Sequence, residues 1–226
     1  NYHAGTAQRY TDYGLLTADV GLCQDVHKIF QELTGMGKAA RLKHIKHAPF
    51  TLQPSLLDWI EFERKEALAG RPARIMARLN ALTDTSVMQA LYRASQAGVQ
   101  IDLIVRGACC LRPGIQGLSE NIRVRSIVGR FLEHARVYYF HHAGAELVYC
   151  ASADWMQRNL FHRIEICFPI LDQAIKLDDI EAGLLLYLAD NCRAWLMQPD
   201  GSYRQASPAP DEPQVVAQLE LLRRLC

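Results

Sequence analysis

The sequence predicts an α/β fold in which a mixed sheet is flanked by helices. Helical and strand patterns alternate between residues 55 and 107, and a run of strand-like segments follows to about residue 170. That order is typical of a sheet whose faces are covered by helices. Half of the residues are hydrophobic, which is enough to build the core that such a fold requires.

The first half of the chain shows helices and strands in turn. Residues 21–34 carry apolar side chains at helical spacing and predict a helix, and residues 35–54 look like a linker that leads into an extended segment. We expect a helix over 55–70 that is capped by Ser55 and ended by Gly70, and another over 83–98. Strands are expected within 71–82 and 99–107.

The second half predicts further strands, a long helix and a tail. Strand patterns occupy these stretches: 122–128, 129–140, 145–154 and 162–171. A long amphipathic helix is expected from about Asp178 to Met197. The segment 207–214 is rich in proline, so we expect it to be loose before a short helix near 215–225.

Composition narrows the class of protein. The net charge of +1 indicates neither nucleic acid nor an acidic partner, so local arginines must hold any anionic ligand. Seven cysteines without CxxC spacing argue against a disulfide framework or a zinc ribbon and favour a reducing cytosol. No apolar run approaches the ~20 residues needed to span a bilayer. We expect a cytoplasmic protein and leave peripheral attachment to a membrane open. Because the sequence begins with Asn1 and not with methionine, we also expect it to be a piece of a longer protein.

The stretch GRFLEHARVYYF, residues 129–140, places polar side chains within a strand pattern. Side chains alternate between the two faces of a strand, so His134 and Arg136 share one face. In the next two strands, Ser152 shares a face with Asp154, and Arg163 shares a face with Glu165. If these three strands are neighbours, one end of the sheet collects His134, Arg136, Ser152, Asp154, Asn159, Arg163 and Glu165. Arg106 ends its own strand, where α/β sheets present ligand-binding groups.

A cluster of arginines around one imidazole suits a phosphate-rich ligand that is held by forked guanidinium contacts. Structural alternatives exist for its members. A single histidine in a strand is more often structural, Ser152 and Asp154 could cap a turn, and Tyr10 could be an ordinary core edge. His141 and His142 look like a hairpin tip, without enough ligands for a metal. The residues alone therefore predict an anion site at the strand ends.

Several phrases carry a family resemblance. HAR, SADWMQRN and HRIE resemble a phospholipase-D-type motif, except that Arg136 stands where lysine is usual. NYHAGTAQRYTDYGLLTAD, LYRASQAGVQIDLIVRGACCLRPG and SENIRVRSIVGRFLEHARVYYF resemble the carboxyl-terminal region of bacterial polyphosphate kinase. The resemblance runs from Asn1 to about Ile170, and the last fifty or so residues match loosely.

The resemblance implies two phospholipase-D-like domains that face each other across a tunnel. Residues 1–45 would form the end of the first domain and a linker. Residues 46–200 would form the second, catalytic domain, and residues 201–226 would form a loosely ordered tail with a short helix. The phosphorylated histidine and the Mg²⁺ site belong to the first domain and should precede Asn1. No metal site is therefore expected in this chain, which by itself is expected to be inactive.

The resemblance also implies residue roles. Tyr10 would contact the adenine nucleotide, and Arg106 would contact the phosphates of that nucleotide. His134 would be a second catalytic histidine, and Arg163 would belong to the same site. Supporting roles would fall to Arg136, Ser152, Asp154, Asn159 and Glu165.

The implied activity is reversible transfer of the terminal phosphoryl group of ATP to polyphosphate through a phosphohistidine. ATP, ADP and polyphosphate would be the ligands. The full-length protein would be a homo-oligomer, and nucleic acid would not be a partner. Two alternatives remain open: a phospholipase-D-type phosphodiesterase, which would need lysine at position 136, and a non-catalytic half-site that binds nucleotide or polyphosphate.

Overall fold

The computed structural model describes residues 3–35 and 41–225. Asn1, and part of the predicted linker at 36–40, lie outside the described residues. The strands are β1 (Tyr10–Thr11), β2 (Lys46–Ala48), β3 (Arg74–Leu79), β4 (Gln100–Val105), β5 (Ile122–Ile127), β6 (Leu132–Glu133), β7 (Val137–Phe140), β8 (Leu147–Ala151), β9 (Glu165–Pro169), β10 (Ala194–Met197) and β11 (Tyr203–Gln205). The helices are α1 (Ala4–Ala7), α2 (Val20–Leu33), α3 (Leu52–Leu68), α4 (Thr85–Gln96), α5 (Gln157–Phe161), α6 (Gln173–Ile180), α7 (Leu186–Ala189) and α8 (Ala217–Leu225).

Within the described ranges, nine strands form one mixed sheet, in the order β11-β10-β5-β4-β3-β7-β8-β9-β2. Strands β3, β4 and β5 run parallel, and every other neighbouring pair in this sheet is antiparallel. Helices cover the sheet, so the predicted α/β architecture is confirmed. A separate short parallel pair joins β1 to β6.

The central strands are buried on both faces, which explains why they read as nearly continuous apolar runs. On one face Ile75, Ala77 and Leu79 of β3 share a core with α3 and α4. On the other face Met76 shares a second core with the segment α6–α7 and with α8. Burial of a large aliphatic side chain stabilises a fold by about 1.5–3 kcal/mol, so the two cores hold the sheet as a rigid platform.

The predicted start of α3 was late by three residues. The helix begins at Leu52, and Ser55 lies within it, donating its N–H to the carbonyl of Thr51 at 3.1 Å. Pro54 is tolerated there because a first-turn N–H has no intrahelical acceptor to lose. Gly70 ends the segment at a φ of +72°, a conformation that glycine adopts without strain.

The stretch 129–140 is two strands, not the single strand predicted. Leu132 and Glu133 leave the large sheet to pair with β1, and the N–H of His134 donates to the carbonyl of Thr11 at 3.2 Å. The chain then enters β7 at Val137. His134 and Arg136 therefore lie between two strands, where polar side chains can face a cavity without being buried in a core.

The long helix predicted from about Asp178 to Met197 is also wrong in its bounds. Helical structure runs over 173–189, with a π-helical turn at Glu181–Leu185 between α6 and α7. The carboxylate of Asp190 then accepts the N–H groups of Cys192, Arg193 and Ala194, so the backbone turns instead of continuing the helix. The apolar residues that follow form β10 and pair with β5.

The amino-terminal helix α2 packs on the segment before β2. Leu22 and Ile29 of the helix contact Leu42 and Ile45. Asp25, which is buried, accepts the N–H groups of residues 43–45 at 2.6–3.0 Å and so holds this segment against the helix. Among the helices in the described ranges, none is both long and apolar enough to cross a membrane.

Candidate functional site

The ends of five strands meet along one edge of the large sheet. Parallel strands β3 and β4 deliver their carboxyl ends there, and because β7, β8 and β9 alternate in direction, they deliver an amino end, a carboxyl end and an amino end. A cavity of about 590 Å³ lies at this edge. Eight of the predicted site residues line it: Arg106, His134, Arg136, Ser152, Asp154, Asn159, Arg163 and Glu165.

Tyr10, the ninth predicted residue, lies behind the histidine. Its ring meets that of His134 edge-on, with centroids 5.4 Å apart and an interplanar angle of 87°. The half-buried ring of Tyr10 therefore contacts the site through His134.

His134 is oriented by a carboxylate. Its Nδ1 lies 2.6 Å from Oδ1 of Asp12, while its Nε2 lies 3.4 Å from Nη1 of Arg136. A carboxylate accepts hydrogen bonds, so Nδ1 donates to Asp12, which leaves the lone pair of Nε2 to accept from the Arg136 guanidinium. The side chain of His134 is 34% exposed, so a ligand in the cavity can reach it. A carboxylate–imidazole pair of this kind is suited to proton transfer or to hydrogen bonding with a phosphate.

Arg136 and Asp154 form a two-point ion pair. Nε of Arg136 lies 3.1 Å from Oδ1 and Nη2 lies 3.0 Å from Oδ2. Oδ1 also accepts the N–H groups of Asn80 and Ala81, at 2.7 and 3.3 Å. One buried carboxylate therefore joins the start of β7 to the loop after β3 and holds the guanidinium beside His134.

Glu165 organises the other wall of the cavity. Its carboxylate accepts hydrogen bonds from Oγ of Ser152 at 2.5 Å and from Nδ2 of Asn159 at 2.6 Å. Oγ of Ser152 in turn accepts the N–H of Ile166 at 3.1 Å. These bonds connect the end of β8, helix α5 and the start of β9, so Ser152, Asn159 and Glu165 act as one hydrogen-bonded unit.

Three exposed arginines give the cavity its charge. Arg106 donates from Nε to Oδ1 of Asn80 at 2.8 Å, and Arg158 and Arg163 extend from the segment around α5. Within the part of the chain that the structure describes, no carboxylate lies within ion-pair distance of any of the three. Guanidinium groups that lack a carboxylate partner bind phosphate well, so the cavity favours an anionic ligand.

Sequence reasoning missed several residues of the site, four of which have side chains larger than a methyl group. Asp12 stands two positions after Tyr10, Asn80 directly follows β3, and Met156 and Arg158 lie within the phrase SADWMQRN. Asn80 could have been found by the argument that selected Arg106, since both end a parallel strand. Nδ2 of Asn80 and Oδ1 of Asn159 are buried without a hydrogen-bond partner among the described residues, and both residues line the cavity.

The described residues do not form a metal site. No group of three or more histidine, cysteine, aspartate or glutamate side chains in those ranges is placed to hold a metal ion. The two buried carboxylates at the cavity are already engaged, Asp154 by Arg136 and backbone N–H groups, and Glu165 by Ser152 and Asn159. These residues therefore do not suit Mg²⁺, which binds through free carboxylate oxygens.

Comparison with known families identifies the chain. Residues 45–218 match the family described as polyphosphate kinase C-terminal domain 2, and residues 1–39 match polyphosphate kinase C-terminal domain 1. The chain belongs to the polyphosphate kinase family. It represents the carboxyl-terminal region of such proteins, as the sequence predicts.

Individual members of the polyphosphate kinase family match over the whole chain. Polyphosphate kinase of Pseudomonas aeruginosa is 56% identical over 225 residues, which is 100% of this chain and 32% of that protein. Polyphosphate kinase of Burkholderia vietnamiensis is 56% identical over 226 residues and is covered to 33%. The crystal structure of polyphosphate kinase from Porphyromonas gingivalis superimposes with a TM-score of 0.94 at 38% identity, over 100% of this chain and 34% of that one. The chain thus spans about a third of the length of these relatives.

Proposed function

We propose that this chain supplies one wall of the active site of a polyphosphate kinase that transfers the terminal phosphoryl group of ATP to polyphosphate, reversibly. The observation that carries the proposal is the cavity at the strand ends, where His134 is paired with Asp12 and where Arg106, Arg158 and Arg163 have no carboxylate partner among the described residues. Membership of the polyphosphate kinase family supports the choice of phosphate ligands.

The proposed reaction proceeds in two displacements. A histidine in the part of the protein outside this chain attacks the terminal phosphorus of ATP, the bond from phosphorus to the bridging oxygen breaks, and ADP leaves. The terminal oxygen of a polyphosphate chain then attacks the phosphohistidine, which releases the histidine and lengthens the polymer by one phosphate. Covalent catalysis of this kind divides one difficult step into two easier ones.

In this proposal Arg106 and Arg163 bind nucleotide phosphates, and Tyr10 flanks the base. Arg136 faces Nε2 of His134 and adds positive charge where charge moves between phosphate oxygens. His134 acts on the transferred phosphate as a proton donor or acceptor, or as a hydrogen-bond donor. Mg²⁺ is expected to be held mainly by residues outside this chain.

The test is polyphosphate synthesis by the full-length kinase that contains this region. His134→Ala should lower kcat by roughly 10²–10⁴, the usual loss on removal of a general acid or base. His27→Ala is the matched control, because His27 is exposed on α2, away from the cavity, and should leave the rate unchanged. Unchanged synthesis with His134→Ala would overturn the proposal.

On the same proposal, the full-length protein binds ATP, ADP and polyphosphate and does not bind nucleic acid. It places a homo-oligomer in the cytoplasm, with peripheral attachment to a membrane left open. Light scattering on the full-length protein measures its mass, and a monomer at micromolar concentration would contradict the oligomer.

A further inference from the structure

The most deeply buried ion pair in the described ranges lies directly behind the proposed active site. Arg78 of β3 and Glu133 of β6 are 2% and 4% exposed, and Nη2 of the arginine bonds to Oε2 of the glutamate. Burial acts to lower the pKa of Arg78, but Glu133, Tyr187 and Tyr13 together hold that pKa above its ordinary value. Neither side chain lines the cavity.

Thr11 bridges this ion pair. Its Oγ1 donates to Oε2 of Glu133 at 2.7 Å and accepts from Nη2 of Arg78 at 3.0 Å. Its backbone carbonyl accepts the N–H of His134 at 3.2 Å. One threonine is thus bonded to both members of the buried pair and to the histidine that carries the proposed chemistry.

The neighbours of Thr11 are the two residues that touch the ring of His134. Tyr10 packs edge-on against that ring, and Asp12 accepts a hydrogen bond from its Nδ1. Strand β1 has only two residues, and a pairing that short has little stability of its own. The side-chain bonds of Thr11 therefore add to the backbone bonds with β6 in holding this strand in place.

The pair is also fixed from its far side. Gln218 of α8 donates to Oε1 of Glu133 at 2.5 Å, and the hydroxyl of Tyr187 donates to Oε2 at 3.0 Å. The guanidinium of Arg78 lies 4.0 Å from the centre of the Tyr187 ring. Elements that are far apart in the sequence thus make the ion pair a rigid anchor rather than a flexible surface contact.

We propose that the Arg78–Glu133 pair, acting through the Thr11 hydroxyl, positions Asp12 and Tyr10 on His134 for phosphoryl transfer. Thr11 is a positioning residue in this inference, because it touches neither the cavity nor the reacting atoms. The inference rests on the proposed function, since it assigns a task to the same histidine.

Thr11→Val and Thr11→Ser form the matched test in the full-length kinase. Valine preserves the shape of threonine and removes all three hydrogen bonds of the hydroxyl, to Glu133, to Arg78 and to the N–H of His134, whereas serine retains the hydroxyl. Thr11→Val should lower kcat by roughly 10- to 100-fold, the loss typical of a misplaced catalytic group, with KM for ATP within about twofold. Thr11→Ser should stay within about threefold of the parent enzyme. Thr34→Val, at the end of α2, is the remote control for the same substitution.

A double-mutant cycle separates positioning from general stability. If Thr11 acts through Asp12, Thr11→Val should slow an Asp12→Asn enzyme by less than about twofold. A further 10-fold loss in that background would overturn the inference, and so would equal losses for Thr11→Val and Thr11→Ser.

Tyr187→Phe tests the anchor without touching Thr11, in case Thr11→Val folds poorly. It keeps the ring beneath Arg78 and removes one hydrogen bond to Glu133, so kcat should fall by roughly threefold. An unchanged kcat would count against the anchor. If His134→Ala leaves synthesis intact, the proposed function itself fails, whereas a damaging His134→Ala with a harmless Thr11→Val overturns only this inference.

Discussion

Arg136 and Asp154 face each other across the edge of the cavity through two parallel hydrogen bonds, at 3.1 and 3.0 Å. Their side chains are 12% and 8% exposed, so the pair is largely screened from water. The same carboxylate holds the backbone of the loop after β3. The ion pair therefore both stabilises the fold of the chain and holds the guanidinium of Arg136 beside His134.

Asp154→Asn should destabilise the chain by about 3–5 kcal/mol, because it leaves a largely buried guanidinium without its counter-charge. Urea denaturation measures the change in the free energy of unfolding. Asp58→Asn, on the exposed side of α3, should change that free energy by less than about 0.5 kcal/mol. Equal effects of the two substitutions would contradict the structural importance given to Asp154.

Arg106→Ala and Arg163→Ala should each weaken binding of ADP by roughly 10- to 150-fold. This range corresponds to about 1.5–3 kcal/mol for a hydrogen bond to a charged group. Isothermal titration with the full-length protein measures the dissociation constant.

Arg93→Ala provides the matched control for these arginines. Arg93 is exposed in the last turn of α4 and does not line the cavity, so its removal should leave the affinity unchanged. Affinity that drops equally for all three variants would indicate attraction to overall charge and not to this cavity.

Leu56→Ala should destabilise the chain by about 2–5 kcal/mol, because the side chain is fully buried between α3 and the sheet. Leu68→Ala, on the same helix but 62% exposed, should cost less than about 0.5 kcal/mol. Chemical denaturation of both variants gives the comparison. Similar losses for both would mean that α3 does not pack as described.

His47 should make the stability of the chain depend on pH. Burial lowers the pKa of His47, although Glu32, with Oε2 3.7 Å from Nε2, acts to raise it. Below the ordinary histidine pKa of about 6.5 the unfolded chain therefore binds the proton more readily than the folded chain does. This contribution is present at neutral pH and is lost as the pH falls through the lowered pKa.

His47→Gln should accordingly flatten the dependence of the unfolding free energy on pH between about pH 7 and pH 5. His27→Gln, at an exposed position of α2, should keep the slope of the parent chain. Denaturation curves at several pH values measure both slopes. An unaltered slope for His47→Gln would refute the role of this imidazole.

The sheet and most of the cavity lining could be predicted from local pattern. Strand β4 reads as an apolar run because both of its faces are buried, and Arg106 was selected because it ends that strand. The extent of the long helix could not be predicted, because Asp190 turns the backbone through its own side-chain bonds and the apolar residues after it suit a helix or a strand.

By itself the sequence determined which side chains can reach the edge of the sheet, because side chains alternate faces along a strand and strand ends carry the polar residues. Tertiary structure alone decided which of them touch. The partners of His134 and Glu133 include Asp12 and Thr11, more than 120 residues earlier in the chain. Local sequence pattern carries no information about contacts between residues so far apart in the chain. These contacts form only when β1 pairs with β6 and the buried Arg78 bonds to both Thr11 and Glu133.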